Sequence, residues 1–103
     1  MHPIKISPED LQIVQSILDT FLPHDEVWAF GSRVTGKARQ FSDLDLAIIS
    51  QKPLDFDNYA ALKEALSESS LPFKVDVVDW ATISDEFKEI IKQNFIILKK
   101  PTK

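Results

Sequence analysis

The run Asp43-Leu44-Asp45-Leu46-Ala47-Ile48-Ile49 decides the architecture of this chain. It is apolar and β-favouring except for two carboxylates spaced i, i+2. A strand sends successive side chains to opposite faces, so Asp43 and Asp45 share one face while Leu44, Leu46 and Ile48 share the other. Two strand steps separate the acids' Cα atoms by roughly 6.5–7 Å, within reach of one cation or a close pair of cations. Acidic side chains seldom enter buried surroundings without compensating charge, and a metal is the simplest compensation. Upstream, the apolar stretch Val27-Trp28-Ala29-Phe30 runs into Gly31-Ser32, with ten residues between Ser32 and Asp43. A glycine lets the backbone approach a ligand closely, and the serine hydroxyl and following amides can donate to phosphate oxygens. Acid pair and turn together predict a phosphate-handling site.

The flanking sequence supplies the rest of the scaffold. Ser7-Pro8-Glu9-Asp10 is a helix start, with a serine cap and proline at the first helical position. Leu11, Val14, Leu18 and Phe21 then form one apolar helical face, which Pro23 ends. Val27 to Phe30 reads as a short buried strand, and residues 32 to 40 as a turn with one short helix. Leu44 to Ile49 is the second strand. Asp57 is the expected cap of another long helix, with Tyr59, Leu62 and Leu66 facing inward. Phe73 to Trp80 is a third strand, rich in β-branched and aromatic residues. Ser84-Asp85-Glu86 opens a final helix carrying Phe87, Ile90, Ile91, Phe95 and Leu98. Its last cluster, Phe95-Ile96-Ile97-Leu98, reads equally as a fourth strand, because periodicity does not separate the two in so short a run. One α/β domain over residues 1–103 is expected.

Composition excludes several classes. A chain of 103 residues, 44% hydrophobic and 27% charged, suits a globular domain. Sixteen Asp and Glu against 12 Lys and Arg give a net charge of -4, which argues against a nucleic-acid footprint. With no cysteine, disulfides and thiolate metal sites are excluded. Neither a signal-peptide core nor a membrane-length apolar run is present, so a soluble cytoplasmic protein is expected. Lys99, Lys100 and Lys103 read as a solvated tail capping the last helix, and His2 and His24 as surface residues.

Gly31-Ser32-Arg33-Val34-Thr35-Gly36-Lys37 also fits the first seven positions of the phosphate-binding loop G-x-x-x-x-G-K-[ST]. The eighth position is Ala38, which has no hydroxyl for Mg²⁺, and no long amphipathic helix follows. That match is read as coincidence. Asp76 lies centrally in the third strand, and if that strand neighbours the second, Asp43, Asp45 and Asp76 converge on one face. Three such carboxylates can hold two divalent ions that brace a triphosphate. The competing reading is an exposed sheet face with Asp45 and Asp76 paired to Lys74 or Arg33. Asp79 falls on the opposite face from Asp76 and reads as a strand-end surface acid.

Gly31-Ser32, ten intervening residues, Asp43-x-Asp45 and the later strand acid Asp76 resemble the polymerase-β-like nucleotidyltransferase superfamily. The short length, Arg33 and Gly36 after the Gly-Ser pair, and Val75-Asp76-Val77-Val78 look like its minimal nucleotidyltransferase (MNT) branch. The resemblance implies a mixed β-sheet with helices mainly on one face and the active site on the other. It implies ATP as donor and Mg²⁺, two ions, as metal. Asp43, Asp45 and Asp76 would be catalytic and metal-holding, and Gly31, Ser32 and Arg33 would contact the nucleotide. The reaction would transfer AMP to a hydroxyl. Members of this branch are typically encoded beside a small helical HEPN protein and act as its antitoxin by modifying a tyrosine with AMP. Two alternatives stand: a non-catalytic subunit that neutralises its partner by contact, and an aminoglycoside-type small-molecule transferase with a partner-supplied pocket.

Overall fold

Three helices of this chain start by the same chemistry. In the computed structural model, which describes residues 4–39 and 41–101, the side chains of Ser7, Asp55 and Ser84 accept from the amides of Asp10, Asn58 and Phe87 at 3.1, 3.0 and 3.1 Å. Each satisfies one of the unpaired donors of a first helical turn. The helices that follow are α1 (Pro8–Phe21), α3 (Phe56–Ser67) and α4 (Asp85–Gln93), with a four-residue α2 (Ser32–Thr35) between α1 and α3. The cap of α3 is Asp55 rather than the expected Asp57, which lies in the first turn and complements the helix dipole from there.

The strands are β1 (Glu26–Phe30), β2 (Leu44–Ile49), β3 (Val75–Asp79) and β4 (Phe95–Lys99), in the spatial order β3-β2-β1-β4. β1 runs antiparallel to both β2 and β4, and β2 runs parallel to β3. The sheet is therefore mixed, and α3 makes the crossover that its parallel pair requires. The segment 95–98 forms a strand, so the last helix stops at Gln93 instead of running on through Phe95 and Leu98. The physical reason is non-local: β1 offers a free edge that pairs Phe30 with Phe95 and Trp28 with Ile97.

One face of the sheet holds the core. Val14 and Leu18 of α1, Leu62 and Leu66 of α3, and Val27, Ala29, Leu44, Leu46 and Ile48 of the strands form one buried cluster. The opposite face carries Trp28, Phe30 and Asp45. It is not bare, because α4 and a 3-10 turn over Trp80–Thr82 cover part of it. Phe87 of α4 packs edge-on against Phe30 at 5.8 Å, and Trp80 packs edge-on against Trp28 at 5.2 Å. Helices thus lie mainly on one face, with α4 as the exception.

Two charged residues depart from the sequence expectation. Lys99 is buried at 9% exposure, and its amine donates to the carbonyls of Leu22 and Asp25 at 2.9 and 2.7 Å, closing the C-terminal end of α1. It is a strut between β4 and α1, not part of a solvated tail; Lys103, like His2, lies outside the described residues. Asp79 faces away from Asp76 as expected, yet it is buried at 6% exposure rather than on the surface. Its carboxylate accepts from the Ser50 hydroxyl and from the amides of Leu54, at 2.9 Å, and Ala81, at 3.3 Å. Asp79→Ala would strand the Ser50 hydroxyl and the Leu54 amide without partners. The expected outcome is a loss of about 3 kcal/mol in urea unfolding. A midpoint unchanged from wild type would show that water replaces the carboxylate there.

Candidate active site

The parallel register places Asp45 of β2 beside Asp76 of β3. In-register neighbours share a face, so both carboxylates stand on the side away from the core. Asp43 is exposed in the residue just before β2 and shares their phase. Asp45 is the most confined of the three. Burial, then the negative charges of Asp76 and Asp43, push its carboxyl up to about 6. All three acids therefore bear on one region, but their side chains are not gathered. Asp76 leans to Lys74 at 3.5 Å in a solvent-exposed pair, and among the described residues no three acidic or histidine side chains form a metal-binding cluster. The convergence expected from sequence is one of face and register, and the pairing with Lys74 is real.

Fit to a divalent cation follows from the donor set. Carboxylate oxygens are the hard ligands that Mg²⁺ takes, and a carboxylate whose ionised form is disfavoured by burial and then by like-charged neighbours gains from a nearby cation.

Gly31 closes one side of the site. It has φ +84° and ψ -158°, a backbone region that glycine alone adopts readily. A Cβ built there would overlap Asp45 Oδ2 and stand 3.2 Å from Asp45 Cγ. The turn thus passes directly against the half-buried Asp45. Ser32 opens α2, and Gly36 ends it in the left-handed region. The four-residue α2 precedes Gly36-Lys37, and the next element after them is β2, whereas a phosphate-binding loop opens a helix at its Gly-Lys.

Arg33 has a different setting from the nucleotide contact expected of it. It is buried at 5% exposure. Its guanidinium donates to the Ser42 carbonyl from Nε and Nη2 at 3.0 and 2.7 Å, and to the Lys5 carbonyl from Nη1 at 2.7 Å. It also stacks on Phe73, 4.1 Å from the ring centre. Burial lowers its pKa, opposed by Asp10 and Asp43. These contacts hold the backbone one residue before Asp43, so Arg33 acts on the site by setting the entry to β2. The aromatic cover from Phe87 and Trp80 was not foreseen. Its sequence signal, an aromatic just after β3 and another opening α4, does not say which face those residues choose.

A half-buried strand acid, its in-register partner on the next strand, and a glycine turn against it define a nucleotidyltransferase core. The chain belongs to the polymerase beta nucleotidyltransferase family, whose model matches residues 12–103. It is 53% identical over 100 residues to a protein of Haemophilus influenzae (strain ATCC 51907 / DSM 11121 / KW20 / Rd) named probable protein adenylyltransferase MntA, covering 97% of this chain and 88% of that one. The fold is also that of a crystal structure of a toxin-antitoxin with AMP-PNP, with a TM-score of 0.73 at 24% identity over 87% of this chain and 73% of that one. A protein from Shewanella oneidensis gives a TM-score of 0.68 at 20% identity, over 92% of this chain and 73% of that one. Among the described residues no helix is long and apolar enough to cross a membrane.

Proposed function

We propose that residues 1–103 form a single minimal nucleotidyltransferase domain that transfers AMP from ATP to a hydroxyl of a protein partner in the cytoplasm. The observation that carries this reading is Asp45, a confined carboxylate pushed up to about 6 between two other acids, with Gly31 pressed against it. Such an arrangement costs stability unless a cationic ligand completes it. The name of the 53% identical relative supports protein as the acceptor class. The family resemblance favours a tyrosine of a small helical HEPN toxin encoded alongside, with this chain as its antitoxin. No observation favours the contact-only or small-molecule alternatives.

In this reading Asp43, Asp45 and Asp76 hold Mg²⁺, which would offset the charge developing on the phosphates. Gly31 leaves room for phosphate oxygens, and Ser32 donates to them. Arg33 is a positioning residue behind Asp43. The acceptor oxygen attacks the α-phosphorus, the bond from that phosphorus to the bridging oxygen breaks, and pyrophosphate leaves with the electron pair. Asp76, half-exposed and nearest the sheet edge, takes the hydroxyl proton and passes it to water.

ATP with Mg²⁺ is expected to raise the melting temperature well above the value with ATP and a chelator. Ligand at 100 times its Kd stabilises by about 2.7 kcal/mol. Co-expression with the neighbouring reading frame's product should yield that protein carrying AMP, detected by mass spectrometry. No thermal shift at millimolar ATP and an unmodified partner would together refute the reading.

A further inference from the structure

β3 is one of the two edges of the sheet. The Leu44 amide donates to the Lys74 carbonyl at 2.9 Å, and the ladder pairs Leu44 with Val75. Residues 74, 76 and 78 therefore bond toward β2, while Val75 and Val77 turn their backbone groups outward. The Tyr59 hydroxyl donates to the Val77 carbonyl at 2.7 Å, so the open stretch runs from Val75 to the Val77 amide. Along it lies a groove of about 600 Å³, walled by Lys63 and Leu66 of α3 and by Leu71 and Phe73, and reaching Asp76. A sheet edge of this kind is where extended peptides add a strand.

We propose, resting on the adenylyl-transfer reading above, that this groove receives the acceptor protein as an extended segment added beside β3, with the acceptor hydroxyl on the residue opposite Asp76. Register supplies the argument. Strands lie about 4.8 Å apart, and opposed residues project to the same face. The residue opposite Asp76 stands on the acid face beside it, as Asp45 does from the other side. The residues before and after project to the other face, toward Leu66, Leu71 and Phe73. The recognised pattern is therefore apolar, hydroxyl, apolar. Lys63 and Lys74 border the groove and favour acidic flanks. The β4 edge does not serve, because β1 stands between it and Asp45.

The probe is a synthetic peptide with one tyrosine between two valines and glutamates at both ends. With ATP labelled at the α-phosphate, the chain should label it, and should label a version with lysines in place of the valines at least about tenfold less. Val75→Pro removes one outward amide at the first residue of an edge strand, a place that tolerates proline. It should raise the peptide KM about five- to tenfold, the scale of one lost hydrogen bond, with the ATP-induced thermal shift intact. Lys63→Glu, on exposed α3 surface, should raise that KM as well and provides the test if Val75→Pro does not fold. Wild-type KM in both variants, with transfer intact, would overturn the groove and leave the nucleotide chemistry standing. No thermal shift with ATP and Mg²⁺ and no labelled peptide in the wild-type chain would overturn the underlying reading and the groove with it.

Discussion

Asp45→Asn is expected to abolish AMP transfer and, in the metal-free chain, to raise stability at neutral pH. Loss of transfer should reach about a thousandfold, the scale seen when a group that stabilises developing charge is removed. The stability effect follows from linkage. The Asp45 carboxyl is raised to about 6 in the folded chain, while in the unfolded chain it lies near 3.9. Below about pH 4 both states are protonated and the group costs nothing. Between about pH 4 and 6 the unfolded chain releases its proton first, so wild-type stability falls; above about 6 the loss is constant. Allowing for screening by solvent, it amounts to about 1–2 kcal/mol. Asparagine never ionises. The variant should melt about 5–10 °C above wild type at pH 8, and the two should converge toward pH 4. Parallel melting profiles across that range would show that Asp45 is not confined among its acidic neighbours.

Gly31→Ala should be the most damaging single methyl in the site. The alanine must adopt a backbone region that costs about 1–3 kcal/mol, and its Cβ must displace the Asp45 carboxylate. Transfer should be lost even at temperatures where circular dichroism shows a folded chain. Gly36→Ala is the matched comparison. Gly36 has the same φ of +84°, but a Cβ there meets nothing within 4 Å. It should lose about 1–2 kcal/mol and keep its transfer activity. Equal loss of transfer in both variants would mean that backbone strain, rather than approach to Asp45, explains the glycine.

Local chemistry was legible in the sequence wherever a short pattern suffices. The cap at Ser7, the alternation from Leu44 to Ile49 and the opposite phases of Asp76 and Asp79 all follow from spacing along one element, and the structure keeps them. The Gly-Ser turn and the strand acids were enough to carry the family. The rest depends on what one element meets in another. Phe95 to Lys99 is a strand because β1 has an edge to pair with, and Lys99 is buried because the end of α1 presents carbonyls to its amine. Asp79 is buried because Ser50 and Leu54, some 25 to 29 residues away, supply its donors. Arg33 is a strut because Lys5 and Ser42 come to it from two directions. The sequence by itself determined the family and the face to which each strand side chain points from its own element. The tertiary structure alone decided which charges are compensated, because the partner that satisfies a buried polar group usually comes from a distant part of the chain and leaves no local pattern.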